Sequence, residues 1–181
     1  MKVGLPTHYL LFMVDLSGME TGSALHSAFA AALSRVCQAI NWDYGEAWML
    51  NPEKTLLELS PAWFVYQNHS EARLDALAQF RACSEDFILS IDEGLPGKIW
   101  RSHQPQWIND VSVPSEAYFL RDQIAKAFNI KAGFGFPVFR HQAVIAIFVF
   151  FSDQACEADQ HVIQRAIAAA APIENESFYV V

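Results

Sequence analysis

The stretch that decides the fold is KAGFGFPVFRHQAVIAIFVFF, residues 131–151. It contains two apolar segments, Lys131–Phe139 and Ala143–Phe151, separated by the polar tripeptide Arg140–Gln142. Aromatic and β-branched residues favour strands, and a short polar connection between two strands predicts a hairpin. The second segment is apolar at successive positions, so both of its faces are apolar. Such a strand is typical of the centre of a sheet that is covered on both sides.

The residues before this hairpin predict a helix and a second hairpin. Residues 24–40 carry apolar side chains at steps of three and four, which indicates an amphipathic helix. Two strands, residues 44–50 and 56–66, follow on either side of the turn at residues 51–54. Pro61 has no backbone N–H to donate, so we expect it to interrupt the ladder of the second strand.

The remaining segments alternate between helical and extended patterns. We predict helices over residues 70–83, 98–102, 114–128 and 157–171, and short strands over residues 87–91 and 106–108. Since hairpins make neighbouring strands antiparallel, the predicted fold class is α+β with a central, mostly antiparallel sheet.

Composition excludes several classes of protein. The chain has 181 residues, of which 52% are apolar and 18% charged, and this is too hydrophobic and too weakly charged for a disordered chain. The net charge is −8 and no basic cluster occurs, so we expect no nucleic-acid partner. The longest apolar run has nine residues, whereas a membrane helix needs about 20. Three scattered cysteines without a CxxC pair are typical of reduced thiols, and we therefore expect one cytoplasmic domain without a membrane partner.

Two blocks of the sequence resemble the GAF domain family. The first is EGLPGKIWRS at residues 93–102, which is followed by QPQWI at residues 104–108; the second is AGFGFPV at residues 132–138. The blocks occur in the right order between a leading and a closing amphipathic helix. The resemblance covers residues 21–171, which leaves residues 1–20 as an N-terminal arm and residues 172–181 as a C-terminal tail.

The resemblance implies a fold and a class of function. GAF domains have a PAS-like antiparallel sheet of about six strands, with the first and last helices on one face. Loops and short helices build a small-molecule pocket on the other face. Similar domains occur in bacterial sensor kinases and response regulators. We therefore expect a non-catalytic sensory or regulatory domain of a two-component protein, which binds a small molecule, forms a homodimer through its terminal helices, or both, and acts on an output domain or protein.

The expected pocket has an aromatic lining and a few polar anchors. The candidate ligand-binding residues are Trp100, Trp107, Tyr118, Phe119, Arg121, Phe134 and Phe136. Further possible polar anchors are Arg101, Asn109, Asp122 and Gln123. In the second block, Phe134 and Phe136 alternate with glycine and proline, so one face of that strand is nearly bare. The bare face is either packed closely by a helix or left open for a ligand, and the aromatic set is either a pocket lining or plain core.

Cofactor and enzyme alternatives depend on cysteine and histidine. Some GAF relatives carry a covalent bilin on a cysteine in the region that corresponds to residues 115–130, which here contains none, so we expect no cofactor. No two histidines have the i, i+4 spacing of a metal site, and we expect no metal. Other relatives reduce free methionine sulfoxide with pocket thiols. Cys83 is the candidate for such a thiol-dependent enzyme, which is the alternative to the non-catalytic function; Cys37 and Cys156 are expected to be structural.

Overall fold

A computed structural model of the protein describes residues 22–114, 119–140, 142–171 and 178–180. These residues form five helices and seven strands. The helices are α1 (Gly22–Ile40), α2 (Glu71–Ala82), α3 (Gly94–Ser102), α4 (Asp122–Ala127) and α5 (Gln160–Ala170). The strands are β1 (Tyr44–Leu50), β2 (Leu57–Val65), β3 (Ile88–Leu89), β4 (Gln106–Ile108), β5 (Gly133–Arg140), β6 (Ala143–Phe151) and β7 (Phe178–Val180).

The strands make one antiparallel sheet in the order β3-β2-β1-β6-β5-β4. β6 pairs with both β1 and β5, so the strand with two apolar faces lies at the centre as predicted. β4 pairs with residues 133–135 of β5, and β7 pairs with residues 138–140 of the same strand. The predicted α+β class with a central antiparallel sheet of about six strands is confirmed. The strand β7, in the C-terminal tail, was not predicted from the sequence.

Pro61 disturbs the pairing of β1 with β2 without ending β2. The register shifts between Glu46, which pairs with Trp63, and Trp48, which pairs with Leu59. Two steps along β1 therefore correspond to four steps along β2, and the two extra residues of β2 lie around Pro61, which has no N–H to donate. The expected interruption is thus accommodated by an irregularity inside a continuous strand.

One side of the sheet, which we call the helical face, is covered by α1 and α5. Its core is apolar throughout and includes fully buried rings of Phe29, Phe136 and Phe148. The rings of Phe29 in α1 and Phe148 in β6 meet edge to face with centroids 5.1 Å apart. The two helices also touch each other, since Arg35 Nε donates a hydrogen bond of 3.2 Å to the Ala169 carbonyl oxygen. The first and last helices therefore lie on one face, as predicted.

The other side of the sheet, which we call the loop face, is covered by α2, α3, α4 and the segments between them. Phe80 of α2, Ile99 of α3 and Ala125 of α4 are buried there. They pack with sheet residues whose side chains point away from the helical face, such as Trp48 and Val149. The sheet is thus buried on both sides, and the loop face is the side on which the sequence predicts a pocket.

Two helices, α3 and α5, begin four and three residues away from their predicted starts. The helix predicted to begin at residue 98 begins at Gly94, because Gly97 N–H donates to the Glu93 carbonyl oxygen and so belongs to the first helical turn. A side chain at Gly97 would overlap the Ser90 carbonyl oxygen, which explains the second glycine of the GLPG sequence. The last helix begins at Gln160 rather than residue 157, because the Asp159 side chain caps it by accepting from His161 N–H.

The helix predicted over residues 114–128 is reduced to α4 among the described residues. Phe119 and Arg121 are both buried, whereas Leu120 between them is exposed. Leu120 and Arg121 lie in a turn that leads into α4, so the helix does not extend back through these residues. Residues 1–20 and 115–118, which include the predicted arm and Tyr118, lie outside the described residues, and the domain boundaries stay a prediction.

Candidate functional site

The structure divides the predicted pocket residues between the two faces of the sheet. Trp107, Phe134 and Phe136 belong to the core of the helical face, under α1 and α5. Trp100, Phe119 and Arg121 belong to the loop face, and Tyr118 lies outside the described residues. These residues are therefore not brought together as one lining, because Phe134 and Phe136 of β5 and Trp107 of β4 point to the helices rather than to the loops. Whether any of them binds a ligand stays a prediction.

The nearly bare face of β5 points to the loop face and is filled by close packing. A Cβ atom on Gly135 would lie 2.9 Å from the Ile99 side chain of α3, and one on Gly133 would lie 2.8 Å from the Val111 side chain. Real Cβ atoms do not approach other heavy atoms so closely. Of the two interpretations of this strand, the one in which a helix packs on the glycines therefore holds at Gly135.

Arg121 is the one candidate anchor whose charge lies in the interior of the loop face. Its guanidinium faces the carboxylate of Glu46 in β1, with 2.6 Å from Nη2 to Oε1 and 3.4 Å from Nη1 to Oε2. Glu46 is fully buried, and Arg121 is 3% exposed. The guanidinium also donates from Nη1 to the Ser84 hydroxyl at 2.8 Å. We call this ion pair the Glu46–Arg121 pair.

Four aromatic rings surround the Arg121 guanidinium. Its central carbon lies between 5.0 and 5.4 Å from the ring centroids of Trp48, Phe80, Phe119 and Phe151. We call these four rings the aromatic cage. A cation within about 6 Å of a ring centroid is attracted by the negative face of the ring. The cage therefore offsets part of the hydration free energy that the guanidinium loses when it is buried.

Glu46 is held by three neighbours besides the sheet backbone. Tyr44 Oη donates to Oε2 at 2.9 Å and Trp48 Nε1 donates to Oε1 at 2.8 Å. Tyr44, Glu46 and Trp48 share one face of β1 because they alternate along the strand. Burial, followed by the Glu46 carboxylate, raises the pKa of Tyr44 well above its ordinary value, so its hydroxyl remains a donor.

This arrangement binds and orients, and it offers no base for catalysis. Both oxygens of Glu46 accept from the guanidinium and from one further donor each. A carboxylate so occupied, and fully buried, has no free lone pair aimed at a reacting proton. Removing one partner of such a pair leaves an uncompensated buried charge, so the pair fixes the position of Arg121 on β1.

Sequence reasoning missed Glu46, although the sequence carries a signal for it. Residues 44–50 read YGEAWML and were identified as a strand. A lone carboxylate within such an apolar strand is rarely buried without a partner. The partner, Arg121, is 75 positions later in the chain, and no local pattern links the two. The charge was therefore detectable, but its pairing was not.

A second buried arginine, Arg81 of α2, lies on the same face. It donates from Nη2 to the Ser60 carbonyl oxygen, and its Nε lies 3.8 Å from the exposed Glu85 carboxylate. Its Nη1 has no hydrogen-bond partner among the described residues. Arg81 and Arg121 both act on Tyr44, where their positive charges partly offset the rise in its pKa.

The other suggested anchors lie outside this interior. Arg101, Asn109 and Gln123 are exposed, and Asp122 is half-buried. No group of three or more histidine, cysteine or acidic side chains that would suit a metal ion occurs within the described residues. Beside α1 and β2 there is an open groove of about 610 Å³, whose lining includes His26, Pro61 and Trp63. The groove contains none of the predicted site residues.

The three cysteines differ in exposure. Cys37 of α1 is fully buried, and burial, followed by the Asp43 carboxylate, raises the pKa of its thiol well above the usual range. Cys156 is exposed, and partial desolvation and then Asp159 raise the pKa of its thiol as well. Cys83 is exposed and is the C-cap residue of α2, the helix end at which negative charge is not stabilised. Reactive thiols lie in electropositive surroundings instead.

Comparison with known proteins agrees with the fold. Residues 22–173 match the family model of the GAF domain. No curated protein sequence matches the chain. The GAF domain of an Acinetobacter phosphoenolpyruvate-protein phosphotransferase is similar in structure, with 15% identity, a TM-score of 0.57, and 82% of this chain and 78% of that chain covered.

Two further solved structures have the same fold and different activities. The GAF domain of a two-component sensor histidine kinase from Bacillus halodurans has 12% identity and a TM-score of 0.58, with 81% of this chain and 88% of that chain covered. The type II free methionine-R-sulfoxide reductase from Thermoplasma acidophilum also has 12% identity and a TM-score of 0.58, with 83% and 90% covered. Within the described residues, no helix is both long and apolar enough to cross a membrane. The match over residues 22–173 shows that this chain belongs to the GAF domain family.

Proposed function

We propose that this GAF domain is a non-catalytic sensory or regulatory module of a bacterial signal-transduction protein of the two-component type. The Glu46–Arg121 pair carries the proposal, because it joins the sheet to the segment at residues 119–121 through a buried ion pair. Such a contact is either made or broken, which gives the loop face two arrangements. A small molecule that binds one arrangement better than the other shifts the balance between them.

The sheet offers a route from this pair to the terminal helices. Glu46 lies between Gly45 and Ala47, which face the other way, into the core under α1. A Cβ atom on Gly45 would lie 3.1 Å from the sulfur of Cys37, so the backbone of β1 and α1 are in close contact there. A shift of β1 at Glu46 would therefore displace the packing of α1. We propose that α1 and α5 carry the signal.

The rest of the proposal concerns partners and place. We propose that the domain binds a small organic molecule on the loop face, forms a homodimer through the outward sides of α1 and α5, and acts in the cytoplasm on an output domain or protein. Exposed residues on those outward sides include Ala31 and Ala168. Small side chains such as these allow two helices to approach closely. Sedimentation of the purified protein tests the dimer, and a monomer at all concentrations would contradict this part.

A ligand screen tests the sensory function. Thermal denaturation is measured with a panel of metabolites for the intact protein, for Arg121→Lys, and for Arg101→Lys as the exposed, matched control. We expect at least one compound to raise the melting temperature of the intact protein and of Arg101→Lys, and to have a smaller effect on Arg121→Lys. Equal effects on both variants, or no stabilisation by any compound, would contradict a ligand role for the loop face.

A thiol-dependent reductase is the second candidate, favoured by the exposed Cys83 and by the similarity in fold to the Thermoplasma enzyme. In that reaction a cysteine takes the oxygen of methionine sulfoxide and becomes a sulfenic acid. Added dithiothreitol then reduces the sulfenic acid to the thiol, becomes a cyclic disulfide and releases water. We expect no reduction above the rate with dithiothreitol alone. Reduction that is lost in Cys83→Ser but kept in Cys156→Ser would replace the non-catalytic proposal with the enzymatic one.

A further inference from the structure

The surroundings of Arg121 have the composition of a cation-binding site. A planar guanidinium meets a carboxylate, a hydroxyl oxygen and four aromatic rings, all of them buried or nearly so. Aromatic rings arranged around a cation are the usual means by which proteins recognise quaternary ammonium ligands, and a guanidinium is attracted to ring faces in the same way. Here the cation is supplied by the chain itself.

The walls of this site and its occupant come from different parts of the fold. Glu46 and Trp48 lie in β1, Phe151 in β6 and Phe80 in α2, and the two strands are neighbours at the centre of the sheet. Arg121 instead belongs to the turn before α4, a helix of six residues, and the residue before that turn, Phe119, contributes the fourth ring. Most of the walls are therefore fixed by the sheet, whereas the occupant is held by its own contacts in the site.

We propose that the rings of Trp48, Phe80 and Phe151 and the Glu46 carboxylate form a binding site for a small guanidinium-type cation, which Arg121 occupies when that ligand is absent. The ligand would take the place of the Arg121 side chain and release residues 119–121 from β1. This inference rests on the proposed sensory function and names the chemical class of its ligand.

The geometry favours a guanidinium over a simple ammonium. Two nitrogens of Arg121 face the two oxygens of Glu46, and one of them also donates to Ser84. A planar fork of donors satisfies all three acceptors together, whereas an ammonium is a compact point charge. The rings surround a planar group rather than a single atom. A ligand with a guanidinium head therefore reproduces contacts that a lysine-like amine reproduces only in part.

Competition with Arg121 sets the expected affinities. The Arg121 side chain must leave the site before a free ligand can enter it. The apparent affinity of the intact protein is therefore the affinity of the vacant site multiplied by the fraction of time that the site is vacant. Arg121→Ala removes this competitor. We therefore expect N-ethylguanidinium, which matches the end of an arginine side chain, to bind Arg121→Ala at least about tenfold more tightly than the intact protein.

The experiment compares a charged probe with a neutral one of the same shape. Titration calorimetry measures N-ethylguanidinium and N-ethylurea on the intact protein, on Arg121→Ala and on Arg121→Ala with Glu46→Gln. We expect saturable binding of the guanidinium probe to the first two and none to the double variant, and no binding of the urea. Arg81→Ala is the matched control, because Arg81 is also buried but has no carboxylate of its own in the interior; its binding should equal that of the intact protein.

Each possible result of the calorimetry either supports the proposal or overturns it. Binding to Arg121→Ala but not to the intact protein would overturn the proposal, since the site would then be permanently closed by its own side chain. Absence of binding to both would overturn it as well. Should Arg121→Ala not fold, its refolding yield from urea is measured with each probe, and equal yields would count as the same negative result. If the guanidinium probe does not bind but a metabolite without a guanidinium stabilises the protein, this inference is wrong and the proposed sensory function still holds. Reduction of methionine sulfoxide by Cys83 would contradict the sensory function and would leave the result of the calorimetry unchanged.

Discussion

The two faces of the central sheet are buried to a similar extent and are built on different principles. On the helical face, Phe134, Phe136 and Phe150 stack with centroids 5.4 to 5.8 Å apart, and the core around them is apolar. On the loop face, rings of the same type surround a buried ion pair. Packed hydrocarbon needs only complementary shapes, whereas a buried charge needs its partner in one position. The helical face holds the domain together, and the loop face in addition specifies where one segment lies.

This difference indicates that a stable fold does not require the ion pair. Replacement of a buried ion pair by well-packed apolar residues is often neutral or stabilising, by about 1–4 kcal/mol. The helical face shows that this sheet accepts a fully apolar covering. A loop face of the same kind is therefore physically possible, and the ion pair adds to the apolar contact of Phe119 with Phe151 in attaching residues 119–121 to the sheet.

The largest expected effect comes from breaking the ion pair on one side only. Glu46→Met or Arg121→Met should each lower the free energy of unfolding by about 3–5 kcal/mol, because the remaining charge is buried without a partner. The double variant should be more stable than either single variant, since it makes the loop face resemble the helical face. Urea denaturation of the four proteins, analysed as a double-mutant cycle, measures this coupling. Additive losses would mean that the two charges act independently.

Tyr44→Phe sharpens the comparison by removing one donor to the carboxylate. We expect a loss of about 1.5–3 kcal/mol at neutral pH, the usual contribution of a hydrogen bond to a charged group. The pKa of Tyr44 is raised by burial and by Glu46, so the folded protein keeps the phenolic proton to higher pH than the unfolded chain. Stability should therefore fall as the pH rises above about 10, where an exposed tyrosine ionises, and the variant should lack this part of the fall.

Urea denaturation at neutral and alkaline pH measures both effects. Tyr66→Phe is the matched control, because Tyr66 is only half-buried and follows β2 rather than facing Glu46. Its loss at neutral pH should be within about 0.5 kcal/mol of zero, as for most partly exposed substitutions. An alkaline loss of stability of the same size in Tyr44→Phe and in the intact protein would assign it to other groups.

Two glycines compare close packing on the two faces. A Cβ on Gly135 would overlap the Phe148 carbonyl oxygen of β6 and crowd Ile99 on the loop face, whereas a Cβ on Gly45 would meet the Phe150 ring and the Cys37 sulfur, at 3.0 and 3.1 Å, on the helical face. Backbone in a central strand cannot move aside, but side chains can shift. We expect Gly135→Ala to cost about 1–3 kcal/mol and Gly45→Ala less, as measured by urea denaturation. A larger loss for Gly45→Ala would mean that the aromatic packing is the less adaptable of the two.

The same comparison explains what the sequence could predict. The helical face follows from local patterns: the apolar stripe of α1, the alternation in β5 and the uniformly apolar β6 are each visible within one segment. The loop face depends on the pairing of Glu46 with Arg121, which are far apart in the chain, and on a turn at Leu120 and Arg121 where the sequence predicts a helix. Arg121 is an expected anchor because a mostly apolar ligand pocket carries a few polar groups. Its partner is not predicted, since only the sheet brings them together.

The assignment of β5 shows the same limit. Its alternation of phenylalanine with glycine and proline predicted one bulky and one bare face, which the structure confirms. The alternation does not say which face of the sheet receives the bulky side chains. That depends on the neighbouring strands, and here it directs Phe134 and Phe136 to α1 and α5, away from Arg121.

The smallest expected effect concerns the thiols, and it affects reactivity rather than stability. Cys37 lies within the helical face, where burial raises the pKa of its thiol, whereas Cys83 and Cys156 are exposed. Alkylation by iodoacetamide requires a thiolate that the reagent can reach, so Cys37 should react only when that face opens. We expect the two exposed cysteines to be labelled at least about a thousandfold faster than Cys37 in native protein, and all three to react alike in urea. Mass spectrometry of the labelled peptides measures each rate.

Because an apolar core opens as a unit, labelling of Cys37 should accelerate in Phe136→Ala, which weakens the helical face, more than in Tyr44→Phe, which weakens the loop face. Equal acceleration in both would mean that the two faces open together, and that the contrast between them does not extend to their motions.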